Sequence, residues 1–234
     1  MAVKASNHGK PAKLRDPQTN VVAAPDYLNF CAFDGPKSSS CLKRALKAIN
    51  NAHAAEGIRK MILPNNFNQL TISQQTFVIT NLERVTRGLR PVVGMTASLN
   101  RNAHRAAATK TDPTLIGALL RLLGVREYAS IWAGDFGPLA SDFDWMYNDG
   151  YDPNGSVNLD CRRPRASGCW GHRHAILNPF RGLPHLIAGV GSTNRGGSIA
   201  EVLVGALSRV PALTFTWKQA LAHGANGHKV TAAA

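Results

Sequence analysis

Long apolar runs are missing from this chain of 234 residues. Within residues 1 to 30 the longest is Val21-Val22-Ala23-Ala24, stopped by Pro25 and far short of a signal-peptide core. No segment approaches the roughly 20 apolar residues that cross a bilayer, so no membrane-spanning helix is expected. Acidic residues are scarce as well: 14 Asp and Glu stand against 27 Lys and Arg, giving a formal net charge of +13 and a pI near 10.1. A field of that sign draws anionic surfaces, whether nucleic acid, anionic lipid or acidic cell-wall polymer. The bases are scattered, with no Lys/Arg block and no basic helix interleaved with aromatics, so a dedicated nucleic-acid groove is not expected. Several enzyme signatures are also missing: there is no Gly-x-Ser-x-Gly elbow, no Walker loop and no Gly-x-Gly-x-x-Gly after a strand.

Cysteine is sparse, with four in all, and no two have the Cys-x-x-Cys spacing of a zinc or redox centre. They fall into close pairs, Cys31 with Cys41 and Cys161 with Cys169, across loops rich in turn formers. Two local disulfides and an oxidising, extracellular compartment are expected. With no signal peptide among its residues, the chain reads as the mature part of a secreted precursor carrying an added start methionine. Apolar residues at 44% and charged residues at 18% fit one folded, turn-rich domain. Residues 1 to 24, where Lys4, Lys10, Lys13 and Arg15 stand among small polar residues, read as a flexible basic arm, and 25 to 234 as the domain.

From Cys41 the pattern turns helical, with Leu42, Ala45, Leu46 and Ile49 at three- and four-residue spacing and Gly57 as a stop. A second helix starts after Ser73 and buries Phe77, Val78, Leu82 and Val85; in it Glu83 pairs with Arg87, four residues on, on a solvated face. Thr96 caps a third, with Leu99, Ala103 and Ala107 on one face. Asp112-Pro113 opens a Leu-rich fourth that ends near Gly124, and Pro138 opens a fifth with Leu139, Phe143, Met146 and Tyr147 on one stripe. After Pro179 the period becomes two: 186 to 191, 199 to 207 and 213 to 217 read as strands with short links, hence as an antiparallel meander. The fold class is α+β, a helical first two-thirds packed on C-terminal strands.

Chemistry is densest in Gly168-Cys169-Trp170-Gly171-His172-Arg173-His174. Two residues apart on a helix, His172 and His174 point well away from each other, so they do not share one metal ion. A single imidazole here is either a general base, a ligand, or a residue satisfied by a carbonyl at a helix–strand junction. The acidic loop from Asn148 to Gly155 lacks the acid spacing of a calcium loop and is explained by turn chemistry. His104, among alanines, reads as structural.

These residues resemble the CAP superfamily, also called SCP-like or PR-1-like domains. Asn81, Arg84, Gly88, Leu89, Pro91, Leu99 and Ala103 match the first half of its pattern. Trp145, Gly171, His172, Arg173, Ile176, Leu177, Gly189, Val190 and Gly191 match the second, so the resemblance covers roughly residues 75 to 218 and is similar to a secreted actinobacterial branch. It implies an α-β-α sandwich around an antiparallel sheet and a cleft that in many members carries two histidines and two glutamates. Only His172 carries over. The stretch Lys110 to Pro113 holds no second histidine, and Ile131-Trp132-Ala133-Gly134-Asp135 stands where a Gly-Glu-Asn signature would be. No cofactor is therefore expected, zinc being the one metal the family cleft would suggest. The expected role is non-catalytic: a monomer binding a lipid-like or anionic cell-envelope ligand through Trp132, Trp145, His172, Arg173 and His174. The competing expectation is an extracellular hydrolase of peptide or cell-wall substrates, with His172 as general base beside Asp144 or Asp135. A polyanion or nucleic-acid binder is the third.

Overall fold

A computed structural model describes residues 12–17, 31–134, 137–149, 163, 166, 168–193, 196–207 and 210–229. Its elements run α1 (Ser39–Ala55), α2 (Ile72–Thr86), β1 (Gly94–Thr96), α3 (Ala97–Thr109), α4 (Gly117–Leu123), β2 (Val125–Ala133), α5 (Pro138–Tyr147), α6 (Gly171–Ile176), β3 (His185–Thr193), β4 (Ser198–Ala206), β5 (Leu213–Thr216) and α7 (Trp217–Ala222). The fold is α+β, with a mixed five-stranded sheet in the order β2-β4-β3-β1-β5.

Local chemistry sets the helix boundaries. The Ser38 side chain accepts from the Cys41 N–H to start α1, Thr71 and Gln74 form a reciprocal capping box on α2, and Thr96 accepts from the Leu99 N–H on α3. Pro138 takes the first turn of α5, where its missing N–H costs nothing. One expected start is displaced. The fourth helix begins at Gly117, not at Asp112-Pro113, because Asn102 donates to the Thr114 carbonyl at 3.0 Å and Leu115 is drawn into the core while still extended.

The C-terminal strands are present, and β3 and β4 pair antiparallel over their whole lengths. β5 is not β4's neighbour: it pairs antiparallel with β1, which itself runs parallel to β3. Strand period sorts the sheet into two faces. Ile187, Val202, Val204 and Ala206 point to one side, where they pack with Leu99 of α3 and Leu123 of α4. Leu186, Ala188, Val190 and Leu203 point to the other, into the large core shared with α1, α2 and α5. Helices thus cover both faces, as the α-β-α expectation requires. Close approach of α3 rests on Gly189 and Gly191, where a Cβ would lie 2.2 Å from the Leu99 carbonyl carbon and 2.1 Å from the His104 nitrogen.

Cys31 and Cys41 form a disulfide. Of the second expected pair, Cys161 lies outside the described residues, and none of the described cysteines is free. Part of the expected arm is described, and it lies against the domain: Leu14 packs on the large core, and the Arg15 carbonyl accepts from Arg173 at 3.0 Å. No helix among the described residues is long and apolar enough to cross a membrane.

Candidate functional site

The segment that enters α6 makes an unusual turn. Gly168 and Trp170 both have positive φ, 93° and 63°, and Gly171 N–H closes on the Gly168 carbonyl at 3.0 Å. A bulky residue rarely adopts that region; burial of the Trp170 indole holds it there. The result sets His172 in the first turn of α6, facing Asp149, which follows the C-terminal end of α5.

One carboxylate grips this histidine twice. Asp149 Oδ2 accepts from the His172 backbone N–H at 3.1 Å, and Oδ1 lies 2.9 Å from Nδ1. The Asp149 side chain is 1% exposed and that of His172 28% exposed, so the acid is fixed inside while the ring reaches the surface. A carboxylate at Nδ1 assigns the proton of the neutral ring to that nitrogen and leaves the Nε2 lone pair as the acceptor. This is the orientation a general base requires.

The other expected site residues disperse. Successive positions on α6 turn by about 100°, so His172, Arg173 and His174 face three directions. Arg173 is buried, with Nη1 2.9 Å from Glu56 Oε1 and 2.8 Å from the Met146 carbonyl. His174 Nε2 meets Asp16 Oδ1 at 2.8 Å. Of the two acids expected beside His172, Asp144 instead accepts from the Asn148 side chain, and Asp135 lies outside the described residues. Trp145 is sealed in the core and donates to the Trp132 carbonyl at 3.0 Å. Trp132 lies against Ala106, Ala107 and Ala200 on the α3 face, its Nε1 bonded to Ser198 Oγ at 2.9 Å, so the two indoles line no common cleft. His104, exposed, bonds the Ser192 carbonyl.

A second cluster of ionisable groups is centred on the buried Glu83. Glu83 and Arg87 pair as their spacing suggests, but on a buried face rather than a solvated one. Glu83 also meets His53 Nε2 at 3.2 Å and accepts from the Tyr147 hydroxyl at 2.9 Å, while Arg87 reaches Glu56 at 2.6 Å. Burial alone would push the Glu83 carboxyl up; the charges of Arg87 and His53, with the hydrogen bonds of His53 and Tyr147, outweigh it and hold the group far below the usual carboxylate range. Its neighbour Asp142 goes the other way, raised by burial and then by the Glu83 charge. Glu201 on β4, buried and bonded to Thr80 Oγ1 at 2.6 Å, is pushed up by burial to about 8. These groups join α1, α2, α5 and β4, and all are buried except Glu56, whose side chain is 15% exposed.

Beyond α6 the chain forms an open depression of about 430 Å³ lined by Arg90, Arg181, Phe180, Leu183 and the flanking prolines Pro179 and Pro184. Phe180 again has positive φ, and Arg90 Nη2 donates to its carbonyl at 2.9 Å. Among the described residues no three His, Cys, Asp or Glu side chains could hold a metal ion together. No family model matches the chain, and no curated protein matches it.

Proposed function

We propose that this chain is an extracellular CAP-like domain that hydrolyses an anionic peptide or cell-wall substrate, with His172 as general base and Asp149 as its positioning residue. The observation that carries the reading is the pair of hydrogen bonds by which Asp149 holds His172, accepting from its backbone N–H and meeting Nδ1, with the ring part-exposed. In the proposed step Nε2 takes a proton from a water molecule as that water attacks the substrate carbonyl. Asp149 stabilises the imidazolium so formed, and the same proton then goes to the leaving group. The net charge of +13 supports attraction of an anionic polymer, and the Cys31–Cys41 disulfide is compatible with an oxidising compartment.

A second reading, binding without turnover, is favoured by the depression at Pro179 to Pro184, where Arg90 and Arg181 flank apolar Phe180 and Leu183. A mixed lining of that kind suits an apolar ligand with an anionic end. Turnover of a panel of wall fragments and peptides separates the two. The hydrolase reading expects measurable turnover that falls by about 10²-fold or more in His172→Ala; turnover that survives the substitution, or retention of wall fragments without any product, contradicts it.

A further inference from the structure

The layer formed by α3 and α4 covers one face of the sheet, and its outer side is both apolar and basic. Leu123 turns inward onto Val202 and Val204, yet Ile116 and Leu122 stay 63% and 72% exposed. Leu207 stands beside them, its N–H bonded to the Gly124 carbonyl at 3.2 Å. Tyr128 pairs across the edge of the sheet with Val204, which puts it on the same face as α4, and it too is exposed. Four large apolar side chains around one short helix are more than scattered surface hydrophobes.

The charge of this layer is one-sided. Between residues 97 and 126 the sequence holds five cations, Arg101, Arg105, Lys110, Arg121 and Arg126, against the single carboxylate Asp112. All five are exposed, and the Arg121 guanidinium folds back over Gly117, where an added Cβ would lie 3.4 Å from Nη1, next to Ile116. Exposed cations on the same layer as exposed isoleucine and leucine, with Arg121 folded beside Ile116, match an interface with an apolar interior beneath a negative surface. Nucleic acid would use the cations and leave Ile116 and Leu122 without a role.

We infer that the α3–α4 layer docks the protein on an anionic lipid bilayer, with Ile116 and Leu122 inserted below the headgroups and the arginines on the lipid phosphates. The inference is independent of the hydrolase reading, because it concerns the opposite side of the sheet from Asp149 and α5. Co-sedimentation of the full chain with vesicles of equal parts phosphatidylglycerol and phosphatidylcholine tests it. Binding is expected to these vesicles, with about tenfold weaker partitioning for Ile116→Glu/Leu122→Glu and for Arg121→Glu/Arg126→Glu. Ile62→Ser, an exposed apolar residue preceding α2, should bind as wild type. Circular dichroism checks that each variant is folded. As a reading that needs no destabilising change, Leu122→Trp should shift its emission to the blue when the anionic vesicles are added. Equal binding to pure phosphatidylcholine, unchanged binding of both double variants, an unshifted Leu122→Trp spectrum, or binding to duplex DNA but not to vesicles would each overturn the inference.

Discussion

A carboxyl group taken out of water without a cation in direct contact keeps its proton at the expense of its charge. Glu201 is in that position, with Thr80 as its hydrogen-bonding partner and burial as the main cause of its raised value of about 8. The sign follows from linkage. In the unfolded chain the group ionises near 4.5, so between that pH and about 8 the native state holds one proton more than the unfolded state. Stability from this group is complete below the lower value and is lost as pH rises through the upper one. Asp142, raised as well, adds in the same direction, whereas Glu83, held low, withdraws stability only in strong acid. The midpoint of urea unfolding should therefore fall from pH 5 to pH 9, and Glu201→Gln should flatten that fall by up to about 5 kcal/mol at the alkaline end. A Glu201→Gln protein with the same pH dependence as wild type would refute this. At this scale the sequence was half legible. The Glu83–Arg87 pair follows from its spacing, but an i,i+4 pair reads alike on a wet or a dry face, and His53, 30 residues away, leaves no local sign of its part. Asp149 stands with Asp142 and Asp144 among the acids around α5, and nothing local marks it out from them: 23 residues separate it from His172, and the contact exists only in the fold.

Elements whose start and stop are written in side-chain chemistry were the most readable. Thr96, Pro138 and Gly124 each mark a boundary the structure keeps. What the sequence left unread was pairing that depends on distant partners. β2 was not anticipated, because an edge strand exposes much of its length and shows little hydrophobic contrast: Arg126, Glu127 and Tyr128 are exposed, and a bulge between Val125 and Glu127 breaks the period. β5 went to the far edge beside β1, since the two lie against each other through Met95 and Phe215, a contact 120 residues apart in sequence that no short link announces. The glycines of β3 have a role the strand period alone does not explain. Gly189 and Gly191 let the backbone of α3 rest on the sheet, with no room for a methyl group between them. Gly191→Ala should lower stability by about 1–3 kcal/mol or more in urea unfolding, because the backbone at Ala103 and His104 must move away. Gly171→Ala, where nothing lies within 4 Å of the added carbon, is the comparison; equal losses in the two would contradict the packing argument.

Across the whole molecule the two sides of the sheet divide the work. On one, buried charges tie α1, α2, α5 and α6 together: Arg87 and Arg173 both reach Glu56, and Tyr147 joins Glu83 to Arg87. That frame holds the end of α5, and so Asp149, against the first turn of α6. The other side carries the basic, partly apolar layer of α3 and α4 outward. The fold class was legible from composition and period because they reflect the whole chain, whereas the site needed the third dimension: His172 stood out, its partner did not. In the proposed mechanism Asp149 orients His172 for proton transfer. Asp149→Asn tests it most directly, since it replaces one of the two carboxylate oxygens that hold His172 by an NH2 group, which donates and cannot accept. In steady-state hydrolysis of a wall-fragment substrate, Asp149→Asn should lower kcat by about 10²- to 10⁴-fold with KM little changed; a kcat equal to that of wild type would contradict the account.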